Sequence, residues 1–232
     1  VDGVRARLVE LDVLGQRVES WHSRSLADAG LDGSILVDID SFHHEVVELQ
    51  DGRFLTFSSE VRSFEDYPSS TEDPDAVRAS QDIVGDIIVE FTRAGEVVRD
   101  IHLLDVVDPY RIGYDSLGQG FWRVTYQALL DEAQPELADW AHANALVYDG
   151  ETDSYLAALR HQDAIVKIDR TTEEIAWILG PHSGWQAPWD QHLLQPREGL
   201  EWAYHSHGLD LTPQGTLLLF DNGNNRASAF EE

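Results

Sequence analysis

The sequence predicts an all-β protein, a β-propeller built from four-stranded antiparallel blades. Short strands rich in Val, Ile, Leu and Phe alternate with turns of Gly, Asp and Asn, and they fall into groups of four. A sandwich or an up-and-down barrel would also explain short strands, but neither gives a reason for a four-strand unit with a histidine at a fixed position. The recurring unit therefore favours the propeller.

The first strand of the unit opens with a histidine in three copies. In each copy the histidine stands eight residues before a turn glycine. These pairs are His44 and Gly52, His142 and Gly150, and His207 and Gly215. Because equivalent positions of stacked repeats face the same direction, the three histidines are expected to converge, although 163 residues separate the first from the last. Since the first strand of each blade lines the central channel, the expected meeting point is the channel mouth.

The other strands of each unit follow across short polar turns. Second strands are predicted at residues 54–57, 155–159 and 217–220. Third strands are predicted at 87–91 and 164–168, and fourth strands at 96–99 and 174–177. Residues 7–11 and 17–21 repeat the hairpin of the third and fourth strands, so the chain is expected to start within a unit.

Residues 1–232 are predicted to form a single β-propeller domain, or part of one. Two stretches interrupt the pattern. Residues 60–83 are expected to be a polar loop, and residues 107–139 an insertion with a short helix near Val124 to Glu132. The units number one partial copy, two complete copies and a last copy without its third strand, so the chain is expected to be a piece of a larger propeller.

Composition narrows the classes of partner. Asp and Glu number 43 against 16 Lys and Arg, and Lys167 is the single lysine, so the surface is strongly anionic and unsuited to nucleic acid. There is no cysteine, which excludes disulfides and thiolate chemistry. No run approaches 18 apolar residues, and no charged and then apolar leader precedes Val1, so the sequence shows neither a membrane span nor a signal peptide.

Arg160 is expected to join the histidines. It ends the second strand that follows the His142 strand, and the hairpin returns it toward the same end of the channel. A guanidinium beside imidazoles suits an anion with several oxygens, such as a sulfate or phosphate ester. His43 should point to the opposite face of its strand, which makes His44 the better candidate.

Three motifs carry a family resemblance: Trp140-Ala-His-Ala-Asn144, Arg160-His161-Gln162-Asp163, and His207 followed by Leu219-Phe-Asp-Asn-Gly223. Together they resemble the bacterial aryl sulfotransferases that do not use phosphoadenosine-phosphosulfate, over about Phe42 to Arg226. The resemblance implies a six-bladed propeller that moves a sulfuryl group from a phenolic sulfate ester to another phenol without a cofactor. It also implies a periplasmic or secreted location, and a homodimer is compatible with it.

The resemblance also implies roles for individual residues. His207 matches the nucleophile that becomes transiently sulfated, His142 and Arg160 match the residues that hold the sulfuryl oxygens, and His44 matches a further histidine of the pocket. Asn144, His161 and His43 are assigned to substrate binding. The expected partners are an aryl sulfate donor and a phenol acceptor.

The chemistry of histidine suits these roles. A neutral imidazole is a competent nucleophile, and its ordinary pKa of about 6.5 leaves it largely neutral at pH 7. Either His142 or His44 could give a proton to the departing phenolate, and the sequence does not choose between them. The chain lacks the Gly-x-x-x-x-Gly-Lys-[Ser/Thr] phosphate loop, which agrees with a donor that is not a nucleotide.

Two other functions compete with sulfuryl transfer. Three histidines around an axis could ligate zinc, iron or copper, but a guanidinium in the same pocket opposes a dication, and no metal is predicted. A propeller without catalytic activity that binds a partner or an anionic glycan would leave the register of the histidines unexplained.

Overall fold

A computed structural model of the chain describes residues 6–27, 29–31, 33–123, 125–126, 136–224 and 226. These residues form 14 strands: β1 Arg7–Leu11, β2 Arg17–His22, β3 Ile35–Leu36, β4 His43–Glu48, β5 Phe54–Tyr67, β6 Ala79–Phe91, β7 Val97–His102, β8 Leu137–Asp139, β9 Ala143–Asp149, β10 Ser154–Leu159, β11 Ala164–Asp169, β12 Ile175–Leu179, β13 His207–Leu211 and β14 Leu217–Phe220. A four-residue helix, α1 Leu103–Val106, follows β7, and 3₁₀ turns lie at Arg24–Leu26, Arg160–Gln162 and Trp189–His192. No helix among the described residues has the length and hydropathy to cross a membrane.

The four-strand unit occurs twice in full. Strands β4 to β7 pair antiparallel in chain order, and so do strands β9 to β12. A hairpin of β1 and β2 carries the short parallel strand β3, and β13 pairs with β14. The strands lie where the repeat pattern predicts them, and the protein is all-β. None of the sheets formed by the described residues closes on itself.

The largest apolar cluster packs the two complete sheets against each other. Phe57 and Ile88 of the first sheet belong to the same buried cluster as Leu146 and Val166 of the second. Each large side chain buried in this way contributes roughly 1.5–3 kcal/mol. The packing places β9 beside both β4 and β13, so the three strands that open with the predicted histidines are neighbours.

The prediction of a loop at residues 60–83 is wrong for most of that stretch. Strand β5 runs on to Tyr67, β6 begins at Ala79, and the two pair continuously through Val61 and Val84 to Phe64. The polar composition that suggested a loop belongs to the exposed side of a strand pair, whereas the side that faces the core buries Tyr67 and Ile83.

The second interruption, residues 107–139, adds one short strand. Strand β8 pairs in parallel with β6 at Val84, which carries Asp139 to the edge of the first sheet. The helix predicted near Val124 to Glu132 lies largely outside the described residues.

A buried carboxylate ties the two complete sheets together. Glu90 on β6 is 0% exposed and accepts hydrogen bonds from Arg53 Nη1 at 2.6 Å and from Arg170 Nε at 2.6 Å. The hydroxyl of Tyr155, on β10, donates to the same carboxylate. Burial raises the pKa of Glu90, but the hydrogen bonds from Arg170 and Tyr155 outweigh burial and hold the pKa below its usual value.

Candidate active site

The structure brings the three repeat histidines together at neighbouring strands. The ring centroid of His44 lies 4.9 Å from that of His142 and 6.1 Å from that of His207. His44 is the second residue of β4, His142 directly precedes β9, and His207 opens β13. Equivalent positions of the repeat therefore form one cluster.

Local irregularities of the backbone aim these side chains. His44 has a φ of 56° and His142 a φ of 49°, in the left-handed region that residues other than glycine rarely adopt. The pairing register also shifts nearby, between His43 and Val46 on β4 and between Ala143 and Ala145 on β9. Such bulges re-aim a side chain relative to the ordinary alternation of a strand.

Because of the bulge, the predicted opposition of His43 and His44 is wrong. The Nδ1 atoms of the two rings lie 3.0 Å apart. His43 is 5% exposed, and its Nε2 donates to the carbonyl oxygen of Ser58 at 2.9 Å. The buried His43 thus lies behind His44, and its place differs from that expected of a substrate-binding residue.

The tautomers of this pair follow from the Ser58 carbonyl. A carbonyl oxygen only accepts, so the neutral His43 ring carries its proton on Nε2 and its Nδ1 accepts from His44. His44 Nε2 is then left with its lone pair. Burial lowers the pKa of His43 to about 4, and burial together with the neighbouring imidazoles lowers the pKa of His44 to about 3.

Arg160 joins the cluster through His161. It begins the 3₁₀ turn directly after β10, and its Nη1 donates to His161 Nε2 at 2.7 Å. The ring of His161 stacks on that of His142 with centroids 4.9 Å apart. His161 is 4% exposed, and its Nδ1 donates to the backbone carbonyl of Asp139 at 2.7 Å, so both ring nitrogens are engaged.

Asp139 is a site residue that the sequence interpretation missed. Its Oδ2 lies 2.5 Å from His142 Nδ1, and its Oδ1 accepts from the indole N–H of Trp122 at 2.9 Å. Burial raises the pKa of Asp139, but the hydrogen bond and the charge of His142 outweigh burial and keep the pKa below its usual value. The feature of the sequence that could have identified Asp139 is its position three residues before the repeat histidine His142.

Two asparagines orient His207. Asn144 Nδ2 donates to the Ser206 carbonyl at 2.9 Å and lies 3.1 Å from His207 Nδ1. Asn222 Nδ2 donates to the His205 carbonyl at 2.7 Å and lies 3.1 Å from the same Nδ1. Asn144 is 4% exposed and therefore contacts the predicted nucleophile from behind. Asn222 was noticed only as part of the Leu219–Gly223 motif.

The electrostatics keep His207 neutral. Burial lowers its pKa, the charges of Arg160 and His142 lower it further, and a hydrogen bond with the backbone of His205 opposes them without reversing the result. Because both amides approach Nδ1, Nε2 is the nitrogen that faces away from them.

His205, which precedes His207 by two residues, is also held by a carboxylate. Asp163 Oδ1 accepts from the backbone N–H of His205 at 2.7 Å and from its Nδ1 at 2.9 Å. His205 is 0% exposed, so this buried pair fixes the backbone two residues before His207.

One aromatic ring borders the cluster on its solvent side. Phe121 is 38% exposed, and its centroid lies 4.5 Å from that of His142 and 6.2 Å from that of His44. Trp140, by contrast, is 0% exposed and belongs to the core. An aromatic ligand reaching the histidines would therefore meet Phe121.

Two groups of side chains among the described residues have a spacing that a metal ion could use. They are Asp115, His161 and His205, and Asp139, His142 and His161. His161 belongs to both, and binding a metal there would break its hydrogen bond with either Arg160 or the Asp139 carbonyl. The guanidinium of Arg160 also opposes a dication at this place.

Comparisons with known proteins identify a family and similar proteins. A family model described as Arylsulfotransferase (ASST) matches residues 2–231. The chain is 28% identical over 251 residues to the arylsulfate sulfotransferase AssT of Escherichia coli O6:H1 strain CFT073, covering 94% of this chain and 38% of that protein. It is also 28% identical over 176 residues to the AssT of Lelliottia amnigena, covering 62% of this chain and 29% of that protein.

The chain thus spans 38% of the length of the Escherichia coli relative and 29% of the length of the Lelliottia amnigena relative over the matched regions. The family match runs through every residue of the histidine cluster, from His43 to Asn222. This protein belongs to the arylsulfotransferase family.

Proposed function

We propose that this protein transfers a sulfuryl group from an aryl sulfate ester to a phenolic acceptor, and that His207 carries the group in between. The observation that supports this most is the neutral His207 ring, held from behind by Asn144 and Asn222 with Arg160 close enough to lower its pKa. Family membership and the names of the relatives point to the same chemistry.

In the first half of the reaction the ring proton of His207 lies on Nδ1, Nε2 attacks sulfur with its lone pair, and the bond between sulfur and the aryl oxygen breaks. The aryl group leaves as a phenol once a proton reaches its oxygen. Arg160 and the neighbouring imidazoles stabilise the charge on the sulfuryl oxygens. In the second half the acceptor oxygen attacks sulfur, the nitrogen–sulfur bond breaks, and His207 is regenerated.

The aryl ring of the donor or acceptor has a candidate neighbour in Phe121. Its ring is partly exposed and lies against both His142 and His44. Stacking on such a ring contributes about 0.5–1.5 kcal/mol beyond the area buried. Phe121 is therefore proposed to bind the aryl group while Arg160 binds the sulfuryl group.

The architecture proposed for this function is a β-propeller. Its support is the four-strand antiparallel unit, formed twice, with the first strands β4, β9 and β13 side by side. In a propeller these strands line the axis, which explains why residues far apart in the chain share one pocket. A location outside the cytoplasm belongs to the same proposal.

The test uses 4-nitrophenyl sulfate as donor and phenol as acceptor. His207→Ala should lower turnover by roughly 10³-fold or more, because a covalent carrier has no substitute. His192→Ala, which removes a histidine from the 3₁₀ turn Trp189–His192, is the matched control and should keep the wild-type rate. Normal turnover by the His207 variant would refute the nucleophile assignment.

Two further measurements separate the competing functions. Mass spectrometry of the protein quenched soon after mixing with donor should find one added sulfuryl group on His207. Dialysis against a chelator should leave turnover unchanged. Loss of activity on dialysis, with restoration by zinc, iron or copper, would favour the metalloenzyme instead.

A further inference from the structure

Two imidazoles of the cluster, His142 and His44, lie beside each other, and either could move a proton to or from a phenol oxygen. We infer that His142 is the proton carrier, that Asp139 is the positioning residue that enables it, and that His44, whose Nδ1 proton is held by His43, offers the substrate only an accepting Nε2. The inference rests on the proposed sulfuryl transfer.

The first argument is the placement of Asp139. The residue is 4% exposed at the end of β8, with one carboxylate oxygen on the Trp122 indole and the other on His142 Nδ1. Since both oxygens are bound, the carboxylate cannot rotate away from the imidazole. An ionised carboxylate only accepts, so the proton shared with it lies on Nδ1 and His142 Nε2 is left for the substrate.

The second argument is the difference between the partners of the two rings. The buried carboxylate of Asp139 lies in hydrogen-bond contact with His142 Nδ1, so a proton delivered to this ring has a counter-charge beside it. The partner of His44 is His43, which is neutral and fixed by the Ser58 carbonyl. Among the described residues no carboxylate hydrogen-bonds to His44, and burial with the neighbouring imidazoles lowers its pKa to about 3, against the opposing charge of Asp139.

A second buried carboxyl near Asp139 does not compete for the negative charge. Asp86 is 1% exposed and accepts from the backbone N–H of Ala143 at 3.0 Å. Burial, with the charge of Asp139 added, raises the pKa of Asp86 well above its usual value. The surroundings therefore disfavour the ionised form of Asp86 and favour that of Asp139, whose carboxylate lies beside His142.

The proton balance of the reaction then closes on one residue. As Nε2 of His207 attacks sulfur and the bond to the aryl oxygen breaks, the Nε2 proton of His142 passes to that oxygen. The first phenol leaves and His142 is neutral. The acceptor phenol next gives its proton to His142 Nε2 while its oxygen attacks sulfur and the bond between sulfur and His207 Nε2 breaks, so both histidines return to their starting states.

The decisive variant is Asp139→Asn. Asparagine has nearly the same shape and can still accept from Trp122, but it presents an N–H to His142 Nδ1, which removes the counter-charge and inverts the tautomer. The rate of first-phenol release is measured in a single turnover without acceptor, for phenyl sulfate and for 4-nitrophenyl sulfate. Phenolate needs a proton to leave, whereas 4-nitrophenolate is a much weaker base.

The expected result is selective. Asp139→Asn should lower the rate of phenol release from phenyl sulfate by about 100-fold or more, within the range of general acid catalysis. The rate of release from 4-nitrophenyl sulfate should fall by less than about 10-fold. His142→Gln, with Asp139 intact, should show the same selectivity and covers the case of an Asp139 variant that fails to fold. His44→Gln is the matched control and should slow both donors by the same factor.

Long-range proton–nitrogen NMR gives a readout that does not depend on activity. The wild-type His142 ring should carry its shared proton on Nδ1, and the Asp139→Asn variant should carry it on Nε2. Equal losses on both donors in the Asp139 and His142 variants, or selectivity in the His44 variant, would overturn the inference. If the wild-type protein turns over neither donor, the proposed function itself fails.

Discussion

Glu90→Gln tests whether the buried ion network holds the two four-stranded sheets together. Glu90 is 0% exposed and accepts from Arg53 at 2.6 Å and from Arg170 at 2.6 and 3.0 Å. Removing one partner of a buried ion pair costs about 3–5 kcal/mol. The side chains of Arg53 and Arg170 are 28% and 17% exposed, and each keeps another carboxylate, so the lower end, about 3 kcal/mol, is expected.

The assay is thermal unfolding followed by circular dichroism at neutral pH. For a domain of this size, about 3 kcal/mol corresponds to a fall in Tm of roughly 6–12 °C. Glu173→Gln is the matched control, because Glu173 pairs with Arg99 at 3.4 Å between the same two sheets but its side chain is 47% exposed. That surface pair contributes at most about 1 kcal/mol. A Tm for Glu90→Gln within about 2 °C of the control would refute the reasoning.

Two other predictions concern the site. Because the pKa values of His43 and His44 are about 4 and about 3, below the unfolded value, the stability that they contribute is present above pH 6.5 and is lost as pH falls toward 4. Denaturant titrations should show this loss, and a His43→Asn variant with an unchanged slope would contradict it. Gly113→Ala places a methyl group 1.8 Å from the His161 carbonyl oxygen, so it should cost about 1–3 kcal/mol and lower turnover. Gly150→Ala, whose new methyl group has no neighbour closer than 3.6 Å, should be tolerated, and equal effects of the two in chemical denaturation would contradict this.

The convergence of the histidines was predictable because equivalent positions in stacked repeats point in the same direction. The same position relative to a turn glycine is occupied by His44, His142 and His207, and stacking of equivalent strands brings these side chains together. Hairpin geometry likewise predicted that Arg160 lies at the same end of the sheet as His142. These inferences needed only the spacing of residue types, since hairpin geometry and hydrophobic pattern are local properties.

The sequence interpretation failed where a bulge or a contact between sheets decided the outcome. Strict alternation placed His43 opposite His44, but the bulge at this point brings the two rings into contact. Asp139 lies on a strand of three residues that pairs with β6, a pairing between segments more than fifty residues apart. Asn222 reaches His207 only because β14 folds back on β13.

By itself the sequence determined the strand pattern, the repeating four-strand unit and the residue types that gather at its first strand, because these depend on local periodicity and turn chemistry. Only the tertiary structure decided which imidazole has a carboxylate behind it and which has a neutral ring. That difference arises from hydrogen bonds between sheets, and such bonds depend on how buried surfaces pack, which no spacing along the chain encodes. This difference between their partners is why we propose different chemical roles for His142 and His44, although the two occupy the same position in the repeat.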